Sequence, residues 1–227
     1  MIIMSDVITI ENRLRGNIEL ALSEGSLFFQ REGSVWNTLR RLATVLGNNN
    51  ISYAVSGGLA SFHHGYRCFT ESIDVVVDPA GFRRIENQLS EFERPFATGR
   101  RFIDCATGVS VRFYLAGSKA GEVVAFPPTD LISEIDDGIR FVNLPTLLTL
   151  KMATGLENSW PTREMADVQE IVKELCLTDS LANELHPAVR AEHVAVIGGE
   201  HHDGVVGHPR RVEGFEDARD RVVDELL

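Results

Sequence analysis

Cysteine is scarce in this chain. Cys68, Cys105 and Cys176 are an odd number, lie far apart, and include no Cys-x-x-Cys. They suggest neither a disulfide framework nor a thiolate zinc site, so a reducing, cytoplasmic setting is the default. Long apolar runs are missing as well. The longest, Ile73 to Val77 and Leu144 to Leu150, fall far short of the roughly 20 residues that cross a bilayer, which excludes a membrane-spanning helix. Met1 to Ile10 lacks a basic n-region and a small-residue cleavage site, which argues against a secretory signal. Basic residues are outnumbered, 22 against 33 acidic ones in 227 residues, for a net charge of −11. General DNA binding is therefore not expected, because phosphate contacts draw mainly on Lys and Arg. There is no internal repeat, no Gly-x-Ser-x-Gly elbow and no evident Ser-His-Asp triad.

What is present is an ordinary globular balance of 44% hydrophobic and 24% charged residues, enough for one domain with an appendage or two small ones. Residues 1–33 show no strong period and read as an N-terminal arm, mobile or holding a short helix. A helix follows, with Ser34 as N-cap and Val35, Trp36, Leu39, Leu42, Ala43 and Leu46 at helical spacing; Gly47 and Asn48–Asn50 end it. Ile51 to Ser56 reads as a strand, Leu59 to His64 as a short helix, and Ile73 to Asp78 as a buried strand. Pro79 opens a helix striped by Phe82, Ile85 and Leu89. Arg101–Cys105 and Val109–Leu115 flank Ala106-Thr107-Gly108 as a hairpin. In its second strand Val109, Val111, Phe113 and Leu115 share one face, and Ser110, Arg112 and Tyr114 share the other. Residues 116–129 read as a loop and Gly138–Val142 as a strand. Helices follow from Pro145, after Pro161 and over about 180–192, then a Gly-rich tail. The fold class is α+β: a small mixed sheet flanked by helices, then a helical C-terminal segment. The divisions are 1–33, an α/β core over 34–143, a helical segment over 144–192 packed on it, and a flexible tail over 193–227.

The informative stretch runs from Tyr53-Ala54-Val55-Ser56-Gly57-Gly58-Leu59-Ala60 to His64-Gly65-Tyr66-Arg67-Cys68-Phe69-Thr70-Glu71-Ser72-Ile73-Asp74. A strand ending in two glycines and passing directly into a helix exposes backbone N–H groups that suit a phosphate. A tight strand-to-helix turn explains the same glycines without any ligand. Alternation along the next strand places Ser72 and Asp74 on one face, beside the glycines. Together with Thr107–Phe113, Leu144–Lys151 and Arg163–Gln169, this stretch resembles the nucleotidyltransferase fold of the DNA polymerase beta superfamily. It resembles in particular the bacterial minimal nucleotidyltransferases grouped with AbiEii-type toxins, and the resemblance covers roughly residues 35–190.

The resemblance implies a Gly-Gly or Gly-Ser phosphate turn, then Asp-x-Asp, then a third carboxylate on a nearby strand. Here Gly57-Gly58 match the turn, Ser72 stands at the first aspartate, Asp74 at the second, and Arg112 at the third carboxylate. The implied metal site is thus degenerate, since nucleotidyl transfer by two Mg²⁺ ions needs anionic oxygens for each ion. Replacing one acid by Ser and another by Arg removes three units of negative charge, and Arg112 is expected to pair with Asp74. Glu71 alternates to the opposite face, and Asp104 on the neighbouring hairpin strand is the other acid to consider. Asp74 is the implied catalytic residue and the one remaining metal ligand. Ser56, Gly57, Gly58, Arg67, Ser72, Arg112 and Lys151 are the implied phosphate- or nucleotide-binding residues, with Mg²⁺ as cofactor if the site is active.

Simpler readings stand beside these. Arg67 reads equally as a solvated surface residue, Lys151 as a helix-flank lysine, and Arg163 with Asp167 as an intrahelical ion pair. His63 and His64 suit the C-terminal end of a helix dipole. Glu200-His201-His202-Asp203 with His208 has metal-ligand chemistry but no helical spacing to preorganise it. Three functions stay open. One is transfer of a nucleoside monophosphate from a nucleoside triphosphate to a hydroxyl of a protein, RNA or small molecule. Another is binding of a nucleotide or other polyanion by an inactive homologue, a pseudoenzyme. The third is a docking role of toxin–antitoxin type.

Overall fold

A computed structural model of the chain describes residues 8–175 and 184–189, apart from 87, 96–98, 121–123, 157–162 and 188. In chain order the elements are helices α1 (Ile10–Gly16), α2 (Ile18–Phe29) and α3 (Gly33–Asn48), strand β1 (Tyr53–Ser56), α4 (Gly57–His63), β2 (Ser72–Val77), α5 (Pro79–Ile85), β3 (Phe92–Glu93), β4 (Arg101–Asp104) and β5 (Ser110–Leu115). They continue with β6 (Lys119–Ala120), β7 (Val124–Ala125), α6 (Thr129–Ile132), β8 (Ser133–Asp136), β9 (Ile139–Val142), α7 (Leu144–Leu156) and α8 (Arg163–Glu174).

Seven strands form one sheet in the order β3-β4-β5-β2-β1-β9-β8, with β6 and β7 a separate two-stranded ribbon. The sheet is mixed, as the sequence leads one to expect. β2 runs parallel to β5 and β1 parallel to β9, while the other four pairings are antiparallel. Each face carries its own packing. On one side Ile73, Val75, Val77, Phe102, Val111 and Phe113 join the buried side chains of α3 and α5 in the larger core. α3 alone contributes Val35, Trp36, Leu39, Leu42 and Leu46, all fully or nearly buried. At roughly 2 kcal/mol per side chain, that is a gross stabilisation of about 10 kcal/mol. On the other side Val76 and Tyr114 meet Tyr66, Phe126 and the inner faces of α7 and α8.

Residues 1–33 are not simply an arm. α1 and α2 occupy residues 10–29, and Ile10, Leu14 and Phe28 are buried in the larger core. A single residue, Asn17, closes α1 and accepts a bond from Leu20 N–H to open α2. α3 begins one residue before the expected cap, at Gly33. Ser34 donates its N–H and its hydroxyl to Glu24, 2.9 Å each, and so ties α3 back to α2. Residues 116–129 hold the β6–β7 ribbon inside the expected loop. The edge strand β8 was not legible in advance, because Ser133-Glu134-Ile135-Asp136 is half-buried or exposed throughout. The helix expected over about 180–192 falls largely outside the described residues, and the tail from 193 entirely so.

Candidate functional site

The site is assembled by strand register. Asp74 of β2 is the Cα partner of Ser56 on β1 and of Arg112 on β5. Arg112 is in turn the partner of Arg101 on β4. All four side chains therefore stand on one face of the sheet. Arg112 makes a bidentate ion pair with Asp74, Nε to Oδ1 at 2.7 Å and Nη2 to Oδ2 at 3.0 Å, and Nη2 also reaches Ser72 Oγ at 3.3 Å. The pairing expected from residue types is present, with the fork geometry that makes Arg–carboxylate contacts strong. Asp74 lies low, its side chain 14% exposed, whereas that of Arg112 is 49% exposed. Burial raises the Asp74 carboxyl above its ordinary value, and the charges of Arg112 and Lys151 only partly offset it.

The glycine pair is explained by close approach. Gly57 has φ +63°, and a Cβ there would sit 2.3 Å from Asp74 Oδ2; a Cβ on Gly58 would sit 2.8 Å from Thr70 Cβ. Glycine at 57 lets the start of α4 lie against Asp74 of β2, and glycine at 58 lets it lie against Thr70 in the connection that leads into β2. The carboxylate of Asp74 thus lies where the βα turn opens.

The remaining expected residues divide. Ser56 is buried at the end of β1, and Ser72 opens β2 on the site face. Lys151 comes to the site from α7 but is buried and engaged, Nζ to Asp167 Oδ2 at 2.7 Å. Asp167 therefore meets Lys151 across two helices, beyond the intrahelical role expected of it. Arg67 is exposed in the connection between α4 and β2, and nothing ties it to Asp74. Asp104 does not reach the site. Alternation along β4 turns it to the opposite face with Phe102, where it is fully buried and accepts from Thr38 Oγ1 at 2.6 Å, from Ala106 N–H at 2.9 Å and from Arg41. Burial alone would raise that carboxyl, but these bonds together hold it below its ordinary value.

Three neighbours were not singled out from sequence. Arg101 donates Nε to Ser110 Oγ at 2.7 Å and approaches Glu11 at 3.5 Å, so two arginines stand side by side on the open face. The alternation that placed Arg112 could have found it. Tyr114 stacks on Phe126, ring centroids 4.9 Å apart, and its phenol is raised first by burial and then by the charge of Asp74. Tyr66 donates to Glu170 of α8, a bond that raises the Tyr66 phenol strongly. Nothing in the spacing of 66 and 170 announces that contact.

Two Mg²⁺ ions would each take several anionic oxygens. Among the described strands register puts two carboxylates on this face, Asp74 and Glu93, and Glu93 lies three strands away on the edge strand β3. Both oxygens of Asp74 are held by a guanidinium, and Asp167 is engaged by Lys151. The residues present do not fit a Mg²⁺ pair. They do present two half-exposed arginines to an anion, each carrying one carboxylate partner. A shallow surface hollow of about 650 Å³ lies elsewhere, against Glu24, Gly33, Ser34 and Arg40. None of the residues of the Asp74 face lines it.

No family model matches the chain, and no curated protein matches it. Among solved structures, the chain is similar to a solution structure of the antibiotic-resistance factor ANT(2'')-Ia, at 15% identity and a TM-score of 0.48, over 73% of this chain and 97% of that one. A crystal structure of ANT(2'')-Ia in complex with adenylyl-2''-tobramycin is similar at 11% identity and a TM-score of 0.46, over 69% of this chain and 94% of that one.

Proposed function

We propose that the chain is a nucleotidyltransferase-like protein that binds the phosphate groups of a nucleoside triphosphate at the Asp74 face, without a pair of Mg²⁺ ions. The observation that carries this reading is the Asp74–Arg112 pair, in register on β2 and β5 where the family resemblance implies two metal-binding carboxylates. A guanidinium supplies the fixed positive charge that a metal would otherwise provide, and adds a planar fork of donors that matches phosphate oxygens. Arg101 adds a second such group one strand over. Arg112 is half exposed, so a phosphate can take its outer N–H groups while Asp74 holds it upright.

Calorimetry with ATP, CTP, GTP and UTP, each with and without Mg²⁺, tests the reading. At least one nucleotide should bind with an affinity that Mg²⁺ leaves within about threefold, and Arg112→Ala should weaken it by about 10-fold or more. Binding seen only with Mg²⁺, or no binding by any of the four, overturns it.

A second reading is favoured by Asp74 itself, a largely covered acid kept at the second position of the Asp-x-Asp element with its carboxyl raised by burial. It is transfer of a nucleoside monophosphate to a hydroxyl acceptor, with Asp74 as catalytic residue. Incorporation of nucleotide label into an acceptor by the wild type, abolished in Asp74→Ala, supports transfer. Labelling that appears only after Ser72→Asp and Arg112→Glu are made together refutes it for the natural chain.

A further inference from the structure

His63 and His64 lie at the far end of α4 from Gly57, about 9 Å along the helix. Each imidazole has one nitrogen placed against an acceptor. His64 Nε2 lies 2.8 Å from the Val142 carbonyl oxygen, which leaves Nδ1 as the ring's other nitrogen. The His63 ring lies flat on Phe141, centroids 4.4 Å apart and planes 4° apart. Its Nδ1 is buried, makes no aligned hydrogen bond and lies 3.3 Å from Asp136 Oδ2, while its Nε2 lies 4.0 Å from Glu134 Oε2. Register explains the meeting: Glu134 of β8 is the Cα partner of Phe141 on β9, so its carboxylate rises beside the ring that His63 covers. One ligand atom from each of His63, His64 and Glu134 lies within 4.8 Å of the other two.

We propose that His63, His64 and Glu134 bind a divalent transition-metal ion, with zinc the ion their donors favour. Two imidazole nitrogens and one carboxylate oxygen suit zinc far better than Mg²⁺ or Ca²⁺, and three protein ligands leave a position for water. The surroundings match what metal-binding histidines require. The Val142 carbonyl fixes the tautomer of His64, and Asp136 stands behind His63 as an outer carboxylate. Ligand atoms around tetrahedral zinc are roughly 3.4 Å apart, so the cluster must close by about an ångström. Glu134, with half its side chain exposed on an edge strand, can supply that movement by rotation. The bound ion would pin the edge hairpin β8–β9 to the end of α4.

Titration calorimetry of ZnCl₂ into the full chain, against a competing chelator, tests this. The tail histidines are the competing explanation, so three proteins are compared with the wild type: Glu134→Gln, His63→Gln, and a tail variant carrying His201→Asn, His202→Asn and His208→Asn. Glu134→Gln alters an exposed side chain and keeps the fold, which far-ultraviolet circular dichroism checks. One zinc site should persist in the tail variant, and Glu134→Gln and His63→Gln should each weaken it by about 10-fold or more. A site that vanishes in the tail variant, that survives both cluster variants unchanged, or that is missing from the wild type overturns the proposal.

Discussion

Two aspartates of this sheet each meet an arginine, and their surroundings make them opposites. Asp104 faces the larger core, has no exposed surface, and is met by Thr38, the Ala106 N–H and Arg41. Asp74 faces the other way, meets Arg112, and borders open solvent through that arginine. Hydrogen bonds win over burial at Asp104, so its charge is stabilised; burial wins at Asp74, so its charge is held at a cost. An Asp–Arg pair is therefore not one kind of object. With donors from several elements it fastens the fold together, and with one half-exposed donor it leaves a cation open to solvent.

The largest test of that contrast is Asp104→Ala. It leaves the Thr38 hydroxyl, the Ala106 N–H and Arg41 without their shared acceptor. The expected loss is about 3–5 kcal/mol, a fall in Tm on the order of 10 °C for a chain of this size, read by calorimetric or circular-dichroism melting. Nucleotide affinity of the folded protein should stay within twofold of wild type. The pH dependence carries the sign of the shift. A carboxyl lowered on folding contributes stability above its unfolded value, near 4, and loses it as pH falls through the lower folded value. Wild type should therefore lose more stability than Asp104→Ala between pH 5 and pH 3. A parallel loss in both proteins would show that Asp104 is not the fastening group.

Gly57→Ala comes next and acts on the Asp74 side of the contrast alone. Alanine at φ +63° costs about 1–2 kcal/mol for its left-handed backbone, and its methyl group would sit 2.3 Å from Asp74 Oδ2. The carboxylate must move and take Arg112 with it. A destabilisation of about 1–3 kcal/mol together with a severalfold loss of nucleotide affinity is expected, seen by melting and calorimetry on the same samples. Lost stability with unchanged affinity would separate the glycine turn from the anion site.

Much of this was legible from residues alone, for reasons that differ by element. The alternation Val111, Phe113 against Ser110, Arg112, Tyr114 put Arg112 on the polar face, because a strand buried on one side must segregate its residues, and the family resemblance is what set it opposite Asp74, where the pair is found. The same rule applied to Phe102 and Asp104 would have sent Asp104 to the core. The residues that hold Asp104 there, Thr38 and Arg41, lie more than 60 residues away in sequence, so no local pattern announces them. The N-terminal helices were obscured because Ile18, Leu22 and Phe29 of α2 are exposed and blur the period that marks an amphipathic helix. β8 carries one apolar residue, Ile135, and that one is exposed. The His63–Glu134 meeting depends on which strand pairs with β9, a fact of topology that no local pattern records.

The smallest effect should come from Asp74→Asn. Asparagine keeps the shape and can still accept from Arg112, while it removes a charge that burial disfavours; Arg112, half exposed, keeps its water. Stability at pH 7 should change by less than about 1 kcal/mol. The sign of the pH dependence is the reverse of that at Asp104. A carboxyl raised on folding gives a native state that binds its proton more readily than the unfolded chain does. Asp74 therefore makes stability rise as pH falls through its raised value toward the ordinary carboxylate range, and Asp74→Asn removes that rise. The difference between the two proteins, followed by urea denaturation from pH 7 down to pH 4, should shrink as the wild-type carboxyl takes up its proton. A loss of several kcal/mol at pH 7 instead would make Asp74 a second fastening group like Asp104, and would leave Arg112 serving the fold more than any phosphate.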